Sequence, residues 1–194
     1  ATHLPAKLLC KKLSLDFYCY EAGNIDGHYC LLKNETVHQP MSADAYGLLK
    51  ASWNSELQAK GEARLNMMRY GDPSGKLKTF SKNHRINVLP EGFDKEKRNI
   101  VIFNGTLDEY EGVEWGCNKI YKPDQTAGVV SILKAMQSDN DFFFYFRVHP
   151  NMKNLPRTTS QLKDIEDLSA QFSNVCVIWP EENIDSYCLI DHCP

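Results

Sequence analysis

Residues 142–151 read FFFYFRVHPN. Phe142, Phe143, Phe144, Tyr145 and Phe146 form an unbroken aromatic run, and Arg147, His149 and Pro150 follow at once. A continuous apolar run, rather than an alternating one, is the pattern of a strand buried on both faces, as in a parallel sheet. Pro150 lacks a backbone donor and stops the strand. The stretch therefore predicts a central parallel strand with two cationic groups at its carboxyl end.

The flanking sequence supplies the rest of the sheet. NIVIFN (99–104) and VCVIW (175–179) are short apolar runs of the same kind. DQTAGVVSILKAMQSD (124–139) places Val129, Ile132, Leu133 and Met136 on one helical face. TTSQLKDIEDLSAQF (158–172) does the same with Leu162, Ile165, Leu168 and Phe172, and IDSYCLIDHC (184–193) starts a third helix. Strands alternating with helices predict an α/β fold, a Rossmann-like parallel sheet of βαβαβα order with right-handed crossovers, over residues 85–194. There is no G-x-G-x-x-G, which disfavours a nicotinamide or flavin site.

Residues 1–84 read differently, as a smaller mixed, partly helical region. LSLDFYCYEAG and HYCLLKNETV suggest short extended pieces. Residues 45–70 predict one long helix, capped by Ser42 or Asp44, with Leu48, Leu49, Trp53, Leu57, Leu65 and Met68 at helical spacing and an interruption at Gly61. GDPSG (71–75) is a turn signal. LPEGFDKEKR (89–98) reads as a solvated linker.

The bulk composition narrows the function. The chain has 194 residues, 42% hydrophobic and 24% charged, with a formal charge of −3. That charge gives no basic footprint for nucleic acid. No apolar run reaches the roughly 18–20 residues of a membrane span. The first 17 residues lack the apolar core and cleavage site of a signal peptide. Seven cysteines without a C-x-x-C pair read as reduced thiols, hence a cytoplasmic setting.

Ligands of open parallel sheets bind beyond the carboxyl ends of the strands. Three segments converge there: Asn104 to Glu111, Arg147 to Asn151, and Pro180 to Ser186. Arg147 and His149 are two apart and share a strand face, so they could form an anion clamp. The alternative is an arginine paired with Asp108 or Glu109 and a histidine bonded to backbone. Asp108, Glu109, Glu111 and Glu114 could supply a general base toward a sugar hydroxyl, or be a solvated acidic loop. Asp185 and Asp124 read as helix caps, and a helix start at Asp185-Ser186 could also take a phosphate. Trp53, Trp115 and Trp179 are sugar-stacking candidates or core residues. Asp191-His192-Cys193 lacks the spacing of a metal site.

NIVIFNGTLDEYEG, YKPDQTAGVVSILKAM, FYFRVHPNMKN and VIWPEENIDSYCLIDHC, in this order, resemble the C-terminal lobe of capsule polysaccharide biosynthesis proteins, GT-B-type glycosyltransferases of bacterial surface polysaccharide. The resemblance covers about residues 85–194. It implies a nucleotide-activated sugar donor, a saccharide acceptor, no obligatory metal or other cofactor, and peripheral association with membrane polysaccharide assembly machinery. It implies donor or phosphate binding by Arg147, His149, Asn151, Asn104, Thr106, Asp185 and Ser186, and catalytic roles for Asp108, Glu109 and His149. Residues 1–84 are then expected to form part of an acceptor lobe. In the family the last helix leads to a further strand and a loop of Phe-Gly-Ser-x-x-Gly-x-Glu type. Here the sequence ends at Cys193-Pro194, so the expectation is a piece of a longer protein with an incomplete donor pocket. Transfer from a CDP-linked polyol, or a non-catalytic lobe in a polysaccharide assembly complex, are the alternatives.

Overall fold

Phe144, Tyr145 and Phe146 lie at the centre of the fold, each at most 2% exposed. The structure, a computed structural model, describes residues 3–22, 29–34, 43–71, 86–106, 124–156 and 159–193. These fall into two compact units, one of residues up to 71 and one from 86 onward.

The second unit is α/β, with a parallel sheet of three strands. They are β3 (Arg98–Phe103), β4 (Phe142–Arg147) and β5 (Val175–Ile178), in the order β3-β4-β5. Both pairs are parallel, with Ile100 opposite Phe144 and Phe146 opposite Val177. The interleaved helices are α4 (Gln125–Met136), α5 (Ser160–Gln171) and α6 (Ser186–His192), with a 3-10 turn at Pro150–Asn154.

Residue parity along β4 assigns the two faces. Phe144 and Phe146 join Val129 and Leu133 of α4 and Leu162, Ile165 and Leu168 of α5 in one core. Tyr145 joins Ile178, Ile184 and Leu189 of α6 in the other. Burying each such side chain contributes about 1.5–3 kcal/mol. Both crossover helices lie on one face while the strands step in one direction across the sheet, so the two crossovers share one hand.

The segment expected to be a solvated linker is part of this unit. Val88, Leu89 and Phe93 pack against the α6 face, Pro90 is buried, and the Phe93 ring stacks on Tyr145 with centroids 4.8 Å apart. Residues 91–92 and 94–96 of that stretch are exposed before β3.

In the first unit, α1 (His3–Lys12), which no sequence signal announced, precedes an antiparallel pair, β1 (Tyr18–Ala22) and β2 (Tyr29–Lys33). The pair is closed at its open end by Asn34, whose Oδ1 accepts the Phe17 N–H at 2.8 Å, and by a Lys33–Asp16 ion pair. The expected long helix is two helices, α2 (Ala43–Ser52) and α3 (Ser55–Tyr70). The break falls at Trp53-Asn54, where Asn54 caps α3 by accepting the Leu57 N–H. Gly61 lies unbroken inside α3, with Trp53 above it. The expected apolar stripe is largely open: Leu48, Leu49, Trp53 and Leu65 are exposed, and α3 buries no residue. Among the described residues, no helix is long and apolar enough to cross a membrane.

Candidate functional site

The three strands end together, and polar side chains from four segments are tied into one network there. It starts at the carboxyl end of β3. Asn104 is buried; its Oδ1 accepts the His149 backbone N–H at 2.8 Å, and its Nδ2 reaches the Met152 sulfur at 3.1 Å. The peptide groups of Gly105 are held from two helices. Its N–H donates to Gln125 Oε1 at the start of α4, and its carbonyl accepts from Gln161 Nε2 near the start of α5. Among the described residues the buried Gln125 Nε2 has no partner, so the amide is held by its oxygen. Thr106 is buried beside this knot.

At the end of β4, Arg147 and His149 go separate ways. Strand parity holds only to Val148, whose N–H still pairs with Ile178. His149 has left the strand and caps the 3-10 turn, its Nδ1 accepting the Asn151 N–H at 3.2 Å. A neutral imidazole that accepts at Nδ1 carries its proton on Nε2. Asn151 is exposed on the same turn.

Arg147 is 3% exposed. It donates from Nη1 to the Trp179 carbonyl at 2.5 Å and from Nη2 to the Glu182 carbonyl at 3.4 Å. It forms no ion pair among the described residues. Burial pushes its pKa down from the ordinary arginine value, and the Glu182 and Glu181 carboxylates push it back up. A guanidinium stays charged under any such shift in the physiological range, so this is a buried cation. The loop it holds is wound on itself. Glu182 Oε1 accepts the Trp179 N–H at 2.6 Å, Glu182 N–H returns to the Trp179 carbonyl, and Ile184 N–H bonds the Glu182 carbonyl.

Asp185 ends that loop as a buried N-cap. One carboxylate oxygen accepts the Tyr187 and Cys188 N–H groups, and the other accepts the Asn87 N–H at 2.8 Å. Its own N–H bonds the Val88 carbonyl. Asp185 thus joins α6 to the segment that covers the sheet, and Ser186 follows as the first helical residue. Asp124 caps α4 through the Ala127 N–H, as its position predicts.

The structure therefore gathers Asn104, Thr106, Arg147, His149, Asn151, Asp185 and Ser186 at one edge of the sheet. Asp108, Glu109, Glu111, Glu114 and Trp115 lie outside the described residues. Gln125 and Gln161 hold Gly105, and Glu182, within the predicted Pro180–Ser186 segment, belongs to the separate Arg147 loop. Gln161 was not singled out from sequence, because an amide near a helix start leaves no spacing signal. Between the 3-10 turn, α5 and the β5–α6 loop lies a shallow crevice, floored by Val148, Met152 and Leu162 and rimmed by Lys153, Trp179 and Glu181. The crevice encloses no space for even a water-sized solute, so it is not a formed ligand cavity.

The chain matches no protein-family model, no curated protein and no solved structure.

Proposed function

We propose that the carboxyl edge of this sheet is the donor side of a glycosyltransferase-like site of bacterial surface-polysaccharide synthesis. The substrate is a nucleotide-activated sugar, and the sugar passes to a saccharide acceptor on the cytoplasmic side of a membrane-associated assembly machinery. The observation that carries this reading is the network joining Asn104, Gly105 and His149 across the ends of β3 and β4, where parallel sheets open to ligand.

The chemistry follows from what these groups offer. Transfer of a glycosyl group develops negative charge on the departing diphosphate, and donors fixed in advance stabilise it without reorganisation. His149 is held on a turn fixed by Asn104 and Asn151 at the carboxyl end of β4. Arg147 adds positive charge beneath the β5–α6 loop. A carboxylate of Asp108 or Glu109 serves as the base that takes the acceptor proton.

Calorimetry with a panel of nucleotide sugars and CDP-glycerol tests the reading. Saturable heat with a nucleotide sugar, lost in a folded His149→Ala variant, supports it. Heat with CDP-glycerol alone shifts the substrate to a polyol phosphate. A second reading, a non-catalytic lobe, is favoured by the small crevice and by the commitment of Arg147 to backbone carbonyls. Absence of heat with every nucleotide selects it.

A further inference from the structure

Arg147 is a buried cation whose bonds are both to one loop. The loop from Trp179 to Ile184 is anchored at its ends, where Ile178 pairs with Val148 and Asp185 pairs with Val88 and Asn87. Between these anchors its own bonds run from Trp179 to Glu182 and from Glu182 to Ile184. The guanidinium crosses that turn and takes two of its carbonyls at once. At 3% exposure, no solute reaches it while the loop lies in this position.

The acceptors in place are the weaker kind. Hydrogen bonds from a guanidinium to ionised oxygens are about twice as strong as neutral ones, and its planar fork matches two oxygens of a phosphate. The same loop carries Glu181 and Glu182, whose negative charges act on Arg147 without forming an ion pair with it. The turn therefore offers the guanidinium two carbonyl oxygens and a negative field, a partial imitation of an anion.

We propose that the Trp179–Ile184 loop is an anion-displaced latch: a diphosphate competes with the Trp179 and Glu182 carbonyls for Arg147, and its binding releases the loop. The incoming charge also repels Glu181 and Glu182, which drives the loop in the same direction. The choice of a diphosphate rests on the glycosyl-transfer reading; the latch itself rests on Arg147 and its loop.

Amide hydrogen exchange of the whole chain, with inorganic pyrophosphate and with uridine diphosphate in separate arms, tests it. Exchange at the Glu182 and Ile184 amides rises by about fivefold or more at saturating pyrophosphate, because the turn loses its tie to the body. In Arg147→Gln these amides exchange fast from the start, and pyrophosphate changes nothing. Glu182→Gln keeps the acceptor for the Trp179 N–H but removes a charge, so pyrophosphate binds about threefold more tightly. Glu182→Gln carries the test if Arg147→Gln does not fold. Unchanged exchange at both amides in the wild type under saturating pyrophosphate overturns the latch, as does an unimproved affinity in Glu182→Gln. The two proposals fail separately. Loop release by pyrophosphate with no tighter binding of any nucleotide sugar removes the glycosyl-transfer reading and keeps the latch. Nucleotide-sugar binding with both amides still protected does the reverse.

Discussion

The backbone N–H of His149 donates to the side chain of Asn104 at 2.8 Å, and this bond ties the exits of β3 and β4 together. Asn104 is buried, so its amide leaves no room for water to replace it. Asn104→Ala leaves the His149 N–H and the end of β3 unsatisfied and costs about 1–3 kcal/mol. Urea unfolding of the variant measures this, and its affinity for a nucleotide should fall with the loss of the fixed His149 turn. A stability loss without any change in affinity would separate Asn104 from the site.

Asp185 accepts three backbone N–H groups from two segments. Asp185→Ala removes the α6 cap and strands the Asn87 N–H, a combined cost of about 2–4 kcal/mol. Asp185→Asn keeps one oxygen for the cap but turns an N–H₂ toward Asn87, so it should fall between wild type and Ala. Equal stability of Asn and wild type would show that the Asn87 bond contributes nothing.

Arg147 predicts a split between stability and binding. Its carbonyl partners each keep another donor, Glu182 N–H for Trp179 and Ile184 N–H for Glu182. Replacing a buried cation by an apolar side chain of similar length also removes its desolvation cost. Arg147→Met should thus stay within about 1 kcal/mol of wild type in urea unfolding. Its pyrophosphate affinity should nevertheless drop at least tenfold, roughly the loss of one charge-assisted contact.

Tyr145 predicts an alkaline transition. Burial pushes its phenol up to about 12, with Cys176, Cys193 and Asp94 adding to the rise and a bond to the Asp94 backbone opposing it. The folded value lies above the unfolded value near 10, so the unfolded chain releases its proton first. The contribution is intact below pH 10 and is lost as pH rises toward 12. Chemical unfolding across this range should show a decline that is shallower in Tyr145→Phe.

The three parallel strands were legible because unbroken apolar runs have few other uses, and the caps Asp124 and Asp185 because each is a short acidic residue at a helix start. Residues 89–93 read as linker because Pro90, Gly92 and the charges from Asp94 onward outweigh two scattered apolar side chains, Leu89 and Phe93. At Gly61 the intrinsic helix cost of glycine, about 1 kcal/mol, suggested a break that the Asn54 cap placed earlier. The site was legible as a place, the carboxyl edge, but not as a set of bonds. Parity put Arg147 on a face, yet its carbonyl partners lie 32 and 35 residues away, and nothing local encodes them.

A nucleotide-activated sugar is proposed to bind where β3, β4 and β5 end. Backbone-amide NMR titration of the chain with a nucleotide sugar tests it most directly. Shifts are expected at residues 104–106, 147–151 and 179–186, with the opposite edge near Arg98, Phe142 and Val175 unmoved. Saturable shifts clustered elsewhere, or none with any nucleotide sugar, would contradict it.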